Sequence, residues 1–184
     1  LPLAAALLAM TDDGYHVYAL GNWPAPFGIV LVLDRLSALM LGLTALVALP
    51  ALLYAVAAGT DTQGRYFHPL FQFQLMGLNG AFLTGDLFNL FVFFEILLIA
   101  SYSLLLHGGG RERIRAGLHY VILNLVGSAL FLIAIGVLYG MTGALNLADL
   151  AVRVAAAPAA DAGLLRAGAL LLLVVLGMKA AVLQ

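Results

Sequence analysis

Nearly uncharged apolar stretches of about twenty residues follow one another along this chain, separated only by short polar breaks. Each stretch is the length an α-helix needs to cross a bilayer core roughly 30 Å thick. In lipid every backbone N–H and C=O must find a partner inside the protein, which leaves helices as the way to satisfy a chain of this pattern. Charge content agrees: 9% of residues are Asp, Glu, Lys or Arg, against about 25% in a soluble domain. With 64% hydrophobic residues and a mean hydropathy of +1.09, water is excluded as the main solvent. The expected fold class is all-α, a polytopic transmembrane helix bundle forming one domain.

Turn-forming and polar residues divide the sequence into six apolar segments, at about residues 1–10, 34–58, 67–84, 87–106, 116–139 and 164–184. The first is too short to span and lacks the basic flank of a signal peptide. It reads as the end of a cut helix, and the whole chain as a piece of a longer protein truncated at both ends. A long loop follows, to about Leu33, in which Tyr15, Tyr18 and Trp23 suit the membrane–water interface. Pro50 is expected to kink the second segment, because proline removes a helical hydrogen bond. The third is the most polar: Gln72, Gln74 and Asn79 are expected to face other helices and find partners there. Residues 107–115 read as a loop, and Leu145 to Ala157 as a short helix lying in the interface. Arg111, Arg113 and Arg115 form the densest basic cluster, which places that end in the cytoplasm.

Within this apolar background the rare ionisable residues carry the information. Glu95 lies eight residues after Leu87, or about 12 Å into its helix at 1.5 Å per residue, near the bilayer midplane. A carboxylate there costs about 2.5–3.5 kcal/mol or more. Lys179, the only lysine in the chain, lies fifteen residues after Leu164, about 22 Å along its segment. The two have opposite sign and comparable depth. Low-dielectric surroundings favour the neutral form of an amine, and a nearby carboxylate favours the ammonium, so varying their separation switches the lysine between states. The plainer alternative is a static ion pair that fixes helix packing; the cost of such groups in lipid weighs toward an ion path.

A candidate proton relay surrounds the pair. Tyr102 falls seven residues after Glu95 on the same face, while Tyr120, Asn124 and Ser128 are spaced by four and share one face. His119 sits one turn inside its segment, and histidine is the side chain that titrates near neutral pH. Ordinary interhelical hydrogen bonding is the competing reading for all of these, and for His68, Gln72, Gln74 and Asn79. Asp34 and Asp86 precede apolar runs and suit helix N-termini. The chain has no cysteine, which rules out disulfides and thiolate chemistry. It also lacks the HExxH, GxSxG and GxxxxGK[ST] motifs. No cofactor, metal site or enzyme activity is expected of it, and a net charge of −1 without a basic block excludes nucleic acid as partner.

The run FLTGDLFNLFVFFEILLIASYSLLL from Phe82 resembles the fourth and fifth helices of the large proton-translocating subunits shared by Mrp antiporters and respiratory complex I. Three further stretches resemble the D-type subunit of the Mrp (or Pha) antiporters: GIVLVLDRLSALML from Gly28, the run from Gly117 to Ala151, and GMKAAV from Gly177. The resemblance implies that Glu95 matches the family's essential fifth-helix glutamate and Lys179 its seventh-helix lysine. It further implies that the six segments correspond to helices two to seven of a protein with about fourteen. The function it implies is sodium- or potassium-for-proton exchange by a hetero-oligomeric complex in the bacterial inner membrane. A proton-pumping subunit of a complex I-like oxidoreductase or membrane-bound hydrogenase is the alternative within the resemblance, and a packing subunit the alternative outside it.

Overall fold

In the computed structural model, which describes residues 14–23 and 28–180, six helices and one small hairpin follow the apolar segments of the sequence. The elements are β1 (His16–Ala19), β2 (Val30–Leu33), α1 (Arg35–Ala57), α2 (Phe67–Leu83), α3 (Leu87–Leu105), α4 (Arg111–Thr142), α5 (Leu147–Ala155) and α6 (Ala162–Lys179). The all-α transmembrane bundle is the observed fold. Among the described residues four helical spans, within α1, α3, α4 and at 159–179, are long and apolar enough to cross a membrane. Helix α2 has 17 residues and carries the amides, so it is shorter and more polar than these. The stub at residues 1–10 lies outside the described residues.

Two boundaries differ from the sequence reading. The stretch 14–33 is not wholly loop: β1 and β2 pair antiparallel, with Val17 opposite Val32 and Tyr18 opposite Leu31. Four-residue strands of Val, Leu and Tyr match no helical period and are too short to stand out among apolar neighbours. Helix α4 starts at Arg111, five residues before the expected segment, and runs for 32 residues. At 1.5 Å per residue that is about 48 Å, longer than the hydrocarbon core, so its arginine-bearing turns project beyond it. The turn before it is short because Gly108, Gly109 and Gly110 all take positive φ (+81°, +68° and +110°), which side chains disfavour.

The turns at the hairpin end are stitched together by main-chain hydrogen bonds. The Gly85 N–H donates to the Val30 carbonyl (2.9 Å), Leu87 N–H to Leu145 (2.8 Å) and Leu147 N–H to Gly85 (2.9 Å). Asp86 caps α3, its carboxylate accepting from the Asn89 N–H at 2.8 Å, and Asn146 caps α5 by accepting from Ala148 and Asp149. Buried Asp86 and Asn146 thus satisfy backbone groups that lipid would leave unpaired, while the buried Asn89 side chain donates to the Thr84 hydroxyl at 3.0 Å. Helix α1 continues through Pro50 without a break in the assigned helix. Small residues set the close packing of α2 on α3: a Cβ at Gly77 would sit 2.8 Å from the Leu97 backbone nitrogen, and one at Gly80 within 2.1–2.5 Å of three Phe93 ring carbons. The core centres on Phe131, Leu87, Ile135, Leu138, Leu165 and Val175.

Asp34 caps α1 in a reciprocal box, its carboxylate accepting from the Ser37 N–H at 2.7 Å while its own N–H donates to Ser37 Oγ at 2.9 Å. Hydrogen bonds from the Ser37 side chain and backbone hold the Asp34 carboxyl below the usual range near 3.8. The native state therefore binds this proton less readily than the unfolded chain. The cap is fully present above the ordinary carboxyl pKa and is lost as pH falls through the depressed value. Protection of the Ser37 amide against hydrogen exchange is expected to drop over that acidic window, and to be absent at all pH values in Asp34→Ala.

Candidate functional site

Glu95 on α3, Ser128 on α4 and Lys179 at the last residue of α6 converge on one point. The Ser128 hydroxyl donates to Glu95 Oε1, and the same Oγ accepts from Lys179 Nζ at 3.1 Å. Lys179 Nζ and Glu95 Oε1 are 3.9 Å apart. The lysine's flexible four-carbon stem carries its ammonium to this point from the end of α6. The Lys179 side chain is 6% exposed and that of Glu95 30%, and the ammonium also lies 5.5 Å from the centroid of the Phe94 ring, within cation–π range.

Magnitudes say how firmly this pair is held. At 3.9 Å and an effective dielectric near 20, the attraction is about 4 kcal/mol. That is close to the cost of placing one such charge in the membrane. Ser128 suits a site of this kind because a hydroxyl donates one hydrogen bond and accepts others at once. It connects the ammonium to the carboxylate without a gap.

The expected relay residues divide. Ser128 is part of the cluster itself. Asn124, one turn away and 5% exposed, donates Nδ2–H to the Tyr120 carbonyl oxygen at 2.9 Å. Tyr102 packs its ring edge-to-face on Tyr120, centroids 5.5 Å apart, and the Tyr120 hydroxyl lies 3.4 Å from Ser101 Oγ. His119 faces outward on α4 and is exposed, so the structure does not bring it to the pair. His68 is at the far end of α2, 3.3 Å from Asp61. The amides of α2 do not find the expected partners: Gln74 Oε1 and Asn79 Oδ1 are buried without a hydrogen bond from any described residue, and Gln72 is exposed. Phe94 was missed by sequence reasoning, though its position beside Glu95 in a phenylalanine-rich helix was a usable signal.

The family described as NADH:quinone oxidoreductase/Mrp antiporter, transmembrane, matches residues 84–184, a stretch that holds Glu95, Ser128 and Lys179. The chain belongs to this family. Among its relatives, a probable K(+)/H(+) antiporter subunit of the D type from Rhizobium meliloti is 59% identical over 91% of this chain and 31% of that protein. The corresponding Na(+)/H(+) antiporter subunit of Alkalihalophilus pseudofirmus is 46% identical over 91% of this chain and 34% of its own length. Of solved structures, the Mrp complex of a Dietzia species superposes with a TM-score of 0.85 at 35% identity, covering 98% of this chain and 34% of the matched one. An archaeal respiratory membrane complex, the membrane-bound sulfane sulfur reductase, gives 0.78 at 27% identity, covering 96% and 36%. The chain thus spans about a third of the length of these relatives. Membership in this antiporter family and four membrane-crossing spans make it part of a multi-pass membrane protein.

Proposed function

We propose that this chain is the proton-handling part of a D-type component of a multi-subunit Na+ or K+/H+ antiporter of the bacterial plasma membrane. Glu95, Ser128 and Lys179 are its proton-translocating group, and the arginine-bearing end of α4 faces the cytoplasm. The observation that carries this reading is the Ser128 hydroxyl between ammonium and carboxylate, hydrogen-bonded to both. When the carboxylate stands close, it stabilises the ammonium; when it withdraws, the low-dielectric surroundings favour the neutral amine and the proton moves on. While the three groups are in contact, the bridging hydroxyl lets a proton pass by exchange of hydrogen bonds: Ser128 takes a proton from Lys179 and releases its own to Glu95, which leaves amine and carboxyl both neutral and free to separate. Ser128→Ala removes the link while leaving both charges. Leaving such groups without a partner costs about 1–3 kcal/mol, so the exchange rate is expected to fall roughly ten- to hundredfold, and Ser128→Thr to keep most of it.

The test is dye-reported proton movement in inverted vesicles carrying the full-length complex. Proton release or uptake on adding sodium or potassium supports antiport. A redox-linked pump is the second reading, favoured by the likeness to the archaeal respiratory complex. It predicts no response to either cation and proton movement only when electrons are supplied.

A further inference from the structure

The fold does not use all the arginines that open α4. Arg113 donates from its guanidinium to the His107 carbonyl and so holds the glycine turn; at the other end of the helix Arg153 donates to the Thr142 carbonyl at 2.8 Å. Arg111 and Arg115 are exposed and make no ion pair or hydrogen bond with any described residue. Four residues apart, they stand side by side on one face of α4, where like charges repel, and in its first turns, where the positive end of a helix disfavours cations. Glu112 lies in the same turn and pairs with neither. Deeper along that face Leu118, Ile122 and Leu125 are exposed and apolar. Spacings of three and four residues bring all five side chains into one lane. The hydrocarbon takes about 20 residues, which counted back from Tyr139 reach Tyr120. Ile122 and Leu125 then lie against lipid tails, and Arg115 stands about 8 Å beyond the boundary, at headgroup level, with Arg111 one turn further out. A topology signal accounts for the number of arginines in this turn but not for their alignment over an apolar lane.

We propose that this lane binds an anionic phospholipid, whose phosphate is held between the Arg111 and Arg115 guanidinium groups while one acyl chain lies along Leu118, Ile122 and Leu125. A guanidinium presents paired N–H donors that match two phosphate oxygens, and a phosphate between the two replaces their repulsion by two attractions. The apolar lane selects a lipid over free phosphate, because only the lipid carries a tail to cover it. The site serves either leaflet and does not rest on the proton-carrying role of Lys179.

The experiment places the full complex in nanodiscs of phosphatidylcholine and phosphatidylglycerol, four to one, and compares photoactivatable phosphatidylglycerol with phosphatidylcholine bearing the same diazirine-tagged acyl chain. The readout is the ratio of labelling by the two probes on residues 118–125. Wild type is expected to favour the anionic probe by about tenfold or more, as two arginines near a lipid surface allow. Arg111→Gln/Arg115→Gln should bring the ratio to within about twofold of one. Arg111→Lys/Arg115→Lys keeps the charge count that orientation needs, should the glutamine pair misassemble, and is expected to lower the ratio about threefold or more because an ammonium lacks the planar fork. Arg113→Gln removes a charge from the same turn on the opposite face and should leave the ratio within about twofold of wild type. Equal labelling by the two probes in wild type shows an ordinary boundary lipid, no labelling by either shows a protein segment covering the lane, and an unchanged ratio in either double variant shows that the arginines hold no phosphate. Each of these overturns the proposal, as does a loss in Arg113→Gln equal to that of the glutamine pair.

Discussion

Glu95→Gln in the full-length complex is expected to reduce cation-driven proton exchange at least a hundredfold while leaving the complex assembled, and Lys179→Ala to do the same. The glutamine keeps the size and one carbonyl acceptor for Ser128 Oγ, so the helix contacts around it survive. What disappears is the charge 3.9 Å from Lys179 Nζ, an interaction worth about 4 kcal/mol at an effective dielectric near 20. The ammonium then loses the partner that makes its protonation variable. Rates of proton movement in vesicles, normalised to the amount of complex in the membrane, check this; a Glu95→Gln complex exchanging at a tenth of the wild-type rate or better would sink the assignment.

The second large effect is structural. Gly80→Leu is expected to prevent accumulation of the folded complex, because even a Cβ at this position would lie 2.1–2.5 Å from three Phe93 ring carbons, and one turn away at Gly77 a Cβ would lie 2.8 Å from the Leu97 backbone nitrogen, so the two helices have no slack there. Relief requires α2 to move off α3, which pulls Gln74 and Phe94 apart and opens the wall of the site. Overpacking costs about 1–3 kcal/mol where neighbours can shift, and more where they cannot. Small residues are what allow membrane helices to approach this closely. Gly80→Ala should give a milder loss of the same kind, and Gly136→Ala, whose Cβ would meet no atom within 4 Å, none. Membrane levels of the assembled complex, compared on native gels, separate the three.

Much of this arrangement was legible because lipid leaves the sequence few options. Asp34 and Asp86 announce the starts of α1 and α3, and their carboxylates do cap those helices. Glu95 and Lys179 stand out as single charges in apolar runs, and opposite sign with comparable depth pointed to each other. Besides the β1–β2 hairpin, three features were not legible. The start of α4 is polar and glycine-flanked, so hydropathy placed its boundary where lipid begins and not where the helix does. The place of Ser128 between the charges depends on the rotation of α4 about its axis, which no local spacing encodes. The unpaired oxygen of Gln74 is a property of three neighbouring helices at once; from sequence alone it looked like one packing amide among three.

The most direct test of a proton-carrying pair, as against one that only holds helices together, is the double variant Glu95→Gln/Lys179→Met. Replacing a buried ion pair by neutral groups of similar size often leaves stability unchanged or improved, so the assembled complex should form at wild-type levels. Cation-triggered proton movement measured on it in inverted vesicles is expected to be absent. An assembled double variant that exchanges protons for sodium or potassium at the wild-type rate would contradict the account and leave Glu95 and Lys179 with packing alone.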